Sequence, residues 1–352
     1  MFQAGGQDLS CALLLASSFA YILLALVIYP HHFNVLLVTT FRQSFGAVFL
    51  LMIIALSMRA IWLQPRAPFQ MLVTIARKEW NLLLLGSLTF PIGLTTYTTF
   101  KINLPAIVPF YADPFIAQVD IFLHGRRPWD MVYLIPEQSA SLIDFFYTRV
   151  WPGLLLAVYA LAFVILRGPS LLRYLWSLLF VYLVLGGVVA TVCASVGPIF
   201  YSDFYQGSAD FLTLKERILG NPYIGDVAIY SRYLLENYRS ADLAFGTGIS
   251  AFPSVHVAVA VLTAWIFTSV SRALAVVGWF YAAVIEFGSI YTGWHYAVGG
   301  YTSAIAVSLF WLAISRFYQL PLMPQRRSAQ RVDAASASAT GRCCVRKRLK
   351  PG

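Results

Sequence analysis

Apolar runs of membrane-spanning length constrain this sequence more than any other feature. A run of about 20 apolar residues, folded as a helix, crosses the hydrocarbon core of a bilayer. Such runs lie near residues 10–29, 44–63, 80–100, 150–167, 173–197, 253–271, 273–293 and 297–317. Backbone polar groups in lipid must find partners within their own segment, which favours helices. The predicted fold class is all-α, a polytopic membrane bundle of about eight transmembrane helices.

The composition and charge agree with a membrane protein and argue against a nucleic-acid partner. Hydrophobic residues make up 59% of the chain and charged residues 11%, whereas soluble domains carry roughly 25% charged residues. Of the net charge of +10, residues 324–352 supply +7, from eight basic residues and one Asp. A basic segment beside a membrane is typical of the cytoplasmic side or of contact with anionic lipid.

Basic residues also predict how the chain is oriented. They follow the second, fourth, sixth and eighth runs, which an eight-span arrangement places on one side: Arg59, Arg66, Arg77, Lys78, Arg167, Arg173, Arg272 and the C-terminal cluster. The positive-inside rule makes that side, and both termini, cytoplasmic. No cleavable targeting signal is evident and the loops are compact, so we expect a bacterial inner membrane.

Two histidines at the ends of apolar runs are the strongest candidates for chemistry. His256 stands where the sixth run begins, and His295 stands between the last two runs. The predicted topology puts both at the same depth on the non-cytoplasmic side. Ionisable residues at such positions are rare and commonly functional. Imidazole can act as nucleophile, acid or base near neutral pH, which is what phosphoryl transfer needs.

The residues around His256 are typical of a phosphate pocket. Pro253 suits the first turn of a helix, and the amides near Ser254 would face outward, where they could bind an anion. Gly248, two residues after Gly246, would let the backbone approach a phosphate closely. Ser254 and Gly248 are therefore predicted to bind substrate.

These motifs together resemble a known family. Pro253-Ser254-Val255-His256, and His295 within Gly293-Trp294-His295-Tyr296, are similar to two signature motifs of the type 2 phosphatidic acid phosphatase (PAP2) superfamily. The form Ala251-Phe252-Pro253-Ser254-Val255-His256 looks most like the inositolphosphotransferase branch, which contains the inositolphosphoryl-ceramide synthases. A run from Lys101 through Pro105, Asp113, Asp120 and Gly125 to Pro128-Trp129 is similar to a segment of that branch.

The resemblance implies both an architecture and a mechanism. It implies a six-helix core with its site on the non-cytoplasmic side, working without metal or cofactor. His295 would be the nucleophile that forms a phosphohistidine, and His256 the acid and then the base. The chain would divide into an N-terminal two-helix membrane extension (1–75), a PAP2-like catalytic domain (76–320) and a basic, disordered cytoplasmic tail (321–352).

The sequence departs from the family at the partner of the nucleophile. The superfamily has an Asp four residues after the nucleophilic His, where this chain has Gly299. Loss of an orienting carboxylate can cost orders of magnitude in rate. Glu286, Asp226, Asp242 or a backbone carbonyl could hold the imidazole instead, although Glu286 lies about 13 Å from His295 along a helix.

Two arginines are the predicted phosphate cations. Arg126 and Arg127 lie in the family-like segment, and guanidinium forks suit phosphate oxygens; Arg217, Arg232 and Arg239 are weaker alternatives.

The predicted function is transfer or hydrolysis of a lipid-linked phosphoryl group on the exoplasmic face, with a phospholipid or lipid-linked phosphate as substrate. The motif form favours transferase, and water could replace the acceptor. The alternative is a catalytically weakened relative that binds phospholipid or has a structural role. A transporter fits less well, because no matched pair of broken helices is evident.

Overall fold

The computed structural model describes residues 2–323, and side chains from residue 7 onward. Within that range every regular element is helical, which confirms the predicted fold class. The main helices are α1 (Phe2–Ile28), α2 (Pro30–Leu63), α3 (Pro68–Ile107), α4 (Asp113–His124), α5 (Glu137–Ile165), α6 (Pro169–Val192), α7 (Ala209–Gly220), α8 (Asp226–Ser240), α9 (Val255–Val270), α10 (Arg272–Tyr291) and α11 (Ala297–Phe317). The basic tail beyond residue 323 lies outside the described residues.

Seven of these helices are long and apolar enough to cross a membrane: α1, α2, α3, α5, α6, α10 and α11. The sixth predicted span is α9, an apolar helix of 16 residues. At 1.5 Å per residue it is about 24 Å long, somewhat short of the hydrocarbon core. Most of its side chains are buried against other helices. Backbones approach closely here, since a Cβ on Gly278 of α10 would lie 2.8 Å from the Cα of Ala264.

Two early helices extend well beyond the predicted runs. The helix α2 begins at Pro30, where a run starting near 44 was expected, and α3 continues for 40 residues. Proline at the first helical position starts both helices, because its fixed φ suits that position. Pro91 and Pro105 lie inside α3 without ending it. The proposed domain boundary between residues 75 and 76 falls within this helix.

One ion cluster links α2, α3 and the C-terminal end of α5. Arg59 of α2 donates to Glu79 of α3 at 2.9 Å, and Arg167, just after α5, pairs with the same carboxylate. Arg59 also donates to the backbone oxygen of Val164 at 2.8 Å. Two of the basic residues used to predict the cytoplasmic side therefore meet at one end of the bundle.

The two long connections are largely helical and form a layer at the other end. They contain α4, α7 and α8. Asp144 of α5 accepts hydrogen bonds from the backbone N–H groups of Gly225, Asp226 and Val227, at 2.8–2.9 Å. Such acceptors satisfy the free N–H groups at a helix start, so the N-terminus of α8 is fixed against α5.

Candidate functional site

His256 is the second residue of α9, and the start of that helix is tightly fixed. The Ser254 hydroxyl accepts from the N–H of Val257 at 3.3 Å, the usual role of a serine N-cap. The Ser254 N–H donates to the Gly299 oxygen at 3.2 Å. Ser254 is fully buried, and it does not line the adjacent cavity. The predicted phosphate-binding serine is thus placed as a helix cap.

The imidazoles of His256 and His295 are in direct contact. Nδ1 of His256 lies 3.1 Å from Nε2 of His295, with the ring planes tilted by 58°. His295 lies in the short connection between α10 and α11, and only 5% of it is exposed. Two helix ends 39 residues apart therefore bring their imidazoles to one point, as the shared depth of the two positions predicts.

A backbone carbonyl holds the other nitrogen of His295. Nδ1 lies 2.6 Å from the oxygen of Ala251, and a carbonyl oxygen can only accept. Nδ1 therefore carries the proton, and Nε2 presents a lone pair toward His256. This is the backbone alternative to the carboxylate that Gly299 lacks. Burial lowers the pKa of His295 to about 4, and the charge of Lys101 adds to that effect while the bond to Ala251 opposes it.

Gly299 lies against that carbonyl. A Cβ at this position would lie 3.3 Å from a ring carbon of Phe252 and 3.5 Å from the oxygen of Ala251. The carbonyl thus occupies space next to His295 that a longer residue at position 299 would enter.

Two buried aspartates of α4 fix the segment that follows His295. Asp113 accepts from the Tyr296 hydroxyl at 2.8 Å, and also from two backbone N–H groups and the Tyr205 hydroxyl. Asp120 accepts from the N–H groups of Ala297 and Val298, at 2.9 and 2.8 Å, which caps α11. Burial raises the pKa of both carboxyl groups, and these hydrogen bonds oppose the shift. No pattern in the sequence indicated that these aspartates hold the start of α11.

Aromatic rings enclose His256. Tyr147 stacks on it at 4.9 Å between ring centres, and Trp151 lies at 4.3 Å. Trp151 also donates from Nε1 to the backbone oxygen of His256 at 2.9 Å. Tyr147 belongs to a π-helical turn of α5, Phe146–Val150, and such turns often occur at functional sites. The packing holds the imidazole in one orientation.

A cavity of about 480 Å³ opens beside the two histidines. Its polar end is formed by Lys101, residues 246–250, His256 and His295, and most of its remaining lining is apolar. Gly248 has φ +91°, and a Cβ there would lie 3.0 Å from the backbone carbon of Lys101. Only glycine suits that conformation and contact, so the backbone at Gly248 packs directly against Lys101, and its binding of substrate stays a prediction.

The predicted arginines lie outside this cavity, and a lysine lies within it. Arg127 pairs with Asp130 at 3.0 Å and with Asp210 at 2.6 Å, while Arg126 is exposed. Neither lines the cavity, whereas Lys101 does. No ion pair of Lys101 occurs among residues 2–323. A lone cation near the end of a predicted span was the signal that could have identified it.

None of the three carboxylates predicted as possible partners of His295 forms a hydrogen bond with it among the described residues. Asp226 pairs with Arg149 at 2.6 Å, which lowers the pKa of Asp226, and Asp242 accepts from Ser240. Glu286 packs against Gly300, and within the described chain neither of its oxygens has a hydrogen-bond partner. Of the alternatives weighed, the backbone carbonyl is the one that contacts His295.

The chain was also compared with known proteins. No curated protein and no solved structure matches it. The family model described as PAP2 superfamily matches residues 136–313, which is 178 of the 352 residues. The matched part includes both histidines and excludes the α4 segment. The chain therefore belongs to the PAP2 superfamily, whose members are generally phosphatases and phosphotransferases.

Proposed function

We propose that this membrane protein transfers or hydrolyses the phosphoryl group of a lipid phosphate through a phosphohistidine on His295. The observation that supports this most is the contact between His256 and His295 at the polar end of an otherwise apolar cavity. A phosphorylated lipid has the same division into a charged end and an apolar end.

His295 would attack first. Its Nε2 lone pair forms a bond to phosphorus as the bond from phosphorus to the leaving oxygen breaks. His256 presents Nδ1 toward the same point, and since Nε2 of His295 accepts, Nδ1 of His256 carries the proton. An incoming phosphate would separate the rings, and His256 would then donate that proton to the leaving oxygen. The Ala251 oxygen would hold the phosphorylated ring in place.

The second half of the reaction would reverse these roles. Water or an acceptor hydroxyl attacks the phosphohistidine, His256 takes its proton, and Nε2 of His295 is released. Lys101 and the amides of residues 246–250 would stabilise the equatorial oxygens. The motif form around Phe252-Pro253 supports a phosphotransferase of the inositolphosphotransferase type, with an alcohol as the acceptor.

We also propose that both termini are cytoplasmic and the histidines face the opposite side of a bacterial inner membrane. The joint cluster of Arg59, Glu79 and Arg167 supports a common side for these loops. Residues 1–75 would form an extension, residues 76–320 the catalytic domain, and the basic tail would contact anionic lipid. A protease-protection assay of tagged termini tests this topology.

The test is phosphoenzyme trapping in the purified protein. Labelled phosphatidic acid would be mixed with wild type, His295→Ala, His256→Ala and, as a control, His31→Ala, which changes an exposed histidine of α2. We expect acid-labile label on wild type and His31→Ala, none on His295→Ala, and loss of turnover in His256→Ala. Equal turnover in wild type and His295→Ala would falsify the proposal. Lipid binding without turnover would favour the alternative, a phospholipid-binding relative weakened at Gly299.

A further inference from the structure

A second cavity lies next to the first and is almost entirely apolar. Its volume is about 240 Å³, and it lies between α1, α3, α5 and α6. Its lining includes Leu14, Ile22, Leu85, Tyr159, Phe163 and Leu178. Phe90, Leu94 and Tyr182 line both cavities, so the second cavity adjoins the first at these side chains, and neither histidine lines it.

Positions along α3 indicate the depth of the second cavity in the membrane. Lys101 stands at the polar end and Phe90 eleven residues earlier, which is about 16 Å along a helix. Leu85 is sixteen residues from Lys101, or about 24 Å. One leaflet contributes about 15 Å of hydrocarbon thickness. On α3 the lining of the second cavity runs from Thr96, about 8 Å from Lys101, to Leu85. It therefore spans the depth at which a chain anchored at Lys101 would reach the middle of the bilayer.

We propose that this second cavity binds the distal part of one long acyl chain of the lipid whose phosphate lies at the histidines, which rests on the proposed function. The N-terminal helix α1 would then form part of the substrate site, although it lies outside the part matched by the family. The enzyme would favour long-chain over short-chain lipid phosphates, because only a long chain reaches this cavity and fills it by van der Waals packing, which drives association within a bilayer.

Gly93 allows this cavity to be filled without disturbing the helix. It lines the second cavity, and a Cβ there would meet nothing within 4 Å. The Gly93→Phe substitution therefore adds a large side chain to the path. Gly153 on α5 is a matched control, since it is helical, exposed, equally uncrowded and outside both cavities.

The experiment uses a phosphatidic acid with a diazirine at the end of one long acyl chain, in phosphatidylcholine nanodiscs. All variants carry His295→Ala to prevent turnover. We expect crosslinks to α1 and to residues 85–96 of α3, displaced by excess dioctanoyl phosphatidic acid, which shares only the phosphate end. Gly93→Phe should lower them roughly tenfold, and Gly153→Phe should not.

Two results would overturn the inference: crosslinks that short-chain competitor does not displace, which indicates bulk lipid, or equal crosslinking in Gly93→Phe and Gly153→Phe. Turnover is then measured with His295 restored. If crosslinking is specific but turnover is absent, the proposed function is contradicted and the acyl-chain site stands. If turnover occurs without specific crosslinking, the acyl-chain site is contradicted and the proposed function stands. If turnover and specific crosslinking are both observed, Gly93→Phe should lose the preference for dioleoyl over dioctanoyl phosphatidic acid.

Discussion

The carbonyl oxygen of Ala251 lies 2.6 Å from Nδ1 of His295 and orients the ring that would otherwise need a carboxylate. A carbonyl fixes the tautomer and the ring position, as an Asp would, but it supplies no full negative charge. Gly299 is part of the same arrangement, because its small size leaves room for the carbonyl. The glycine at position 299 and the close approach of the Ala251 carbonyl therefore belong to one arrangement.

Restoring an Asp at position 299 should lower activity. In Gly299→Asp the carboxylate would enter the space beside the Ala251 oxygen, where two acceptors would compete for one N–H group and repel each other. We expect kcat to fall about tenfold, which corresponds to about 1.4 kcal/mol. Gly299→Ala adds only a Cβ at 3.3 Å from Phe252 and should stay within about threefold of wild type. An increase of kcat in Gly299→Asp would show that the carbonyl is a poor substitute.

The pH dependence of stability should report the buried His295. The pKa of His295 is about 4 in the folded protein and 6.5 for an unperturbed histidine, the value taken for the unfolded chain. Between these values the unfolded chain binds a proton that the folded chain does not, so the free energy of unfolding falls as the pH drops from 6.5 to 4. The full effect is on the order of 3 kcal/mol.

The measurement is the melting temperature of wild type and His295→Gln across pH 4–8. The difference between the two should shrink or change sign as the pH falls, since the Gln variant lacks this titration. His31→Gln, at an exposed position of α2, should follow wild type. A wild-type to His295→Gln difference that does not change with pH would contradict a depressed pKa at His295.

The elements that the sequence predicted best are those with a strong local signal. The apolar runs gave the helical bundle, and the rare histidines at run ends identified the residues that meet. A glycine near a helix start suggests close backbone approach, and Gly248 does pack closely against Lys101, whereas its contact with a phosphate stays a prediction. The signals failed for the bounds of α2 and α3, because a helix can continue past its apolar stretch, as α3 does across Pro105.

The parts that the sequence did not predict depend on tertiary contacts. A backbone carbonyl has no side-chain signature, so no pattern distinguishes Ala251 as the partner of His295. In the sequence Asp113 and Asp120 lie in a segment that connects two predicted spans. They hold the start of α11 because α4 packs against it, and no sequence pattern indicates that contact. Arg126 and Arg127 had the right charge, but charge alone does not say which residue faces the cavity.

Loss of the cap on α11 should destabilise the protein and slow the reaction. Asp120 accepts from the N–H groups of Ala297 and Val298, and Asp120→Asn would keep one acceptor and lose the charge. Removing such a cap costs about 1–2 kcal/mol. We expect a lower melting temperature and a several-fold lower kcat, because His295 stands just before this helix start.

Asp130→Asn is the matched control for this variant. Asp130 is exposed and pairs only with Arg127 at 3.0 Å among residues 2–323, and such surface pairs contribute about 0–1 kcal/mol. If both variants behaved alike, Asp120 would have no special part in holding the His295 segment.

Lys101 and the arginines Arg126 and Arg127 are alternative candidates for the cation that binds the phosphate. Lys101 lines the cavity with the two histidines, and Arg126 does not. A charge-assisted hydrogen bond is worth about 1.5–3 kcal/mol, so Lys101→Met should raise KM for phosphatidic acid by roughly 10- to 100-fold.

Arg126→Met decides between the two assignments. This substitution removes an exposed charge outside the cavity and should change KM by less than about twofold, the effect of a solvated surface charge. Methionine keeps an unbranched apolar stem at both positions and removes only the charged end, so the two variants differ mainly in where the charge was lost. Steady-state kinetics in nanodiscs of one fixed composition keep the lipid surface charge equal. A larger rise of KM in Arg126→Met than in Lys101→Met would assign phosphate binding to Arg126 instead. The residue whose charge lowers KM must be the one that contacts the phosphate.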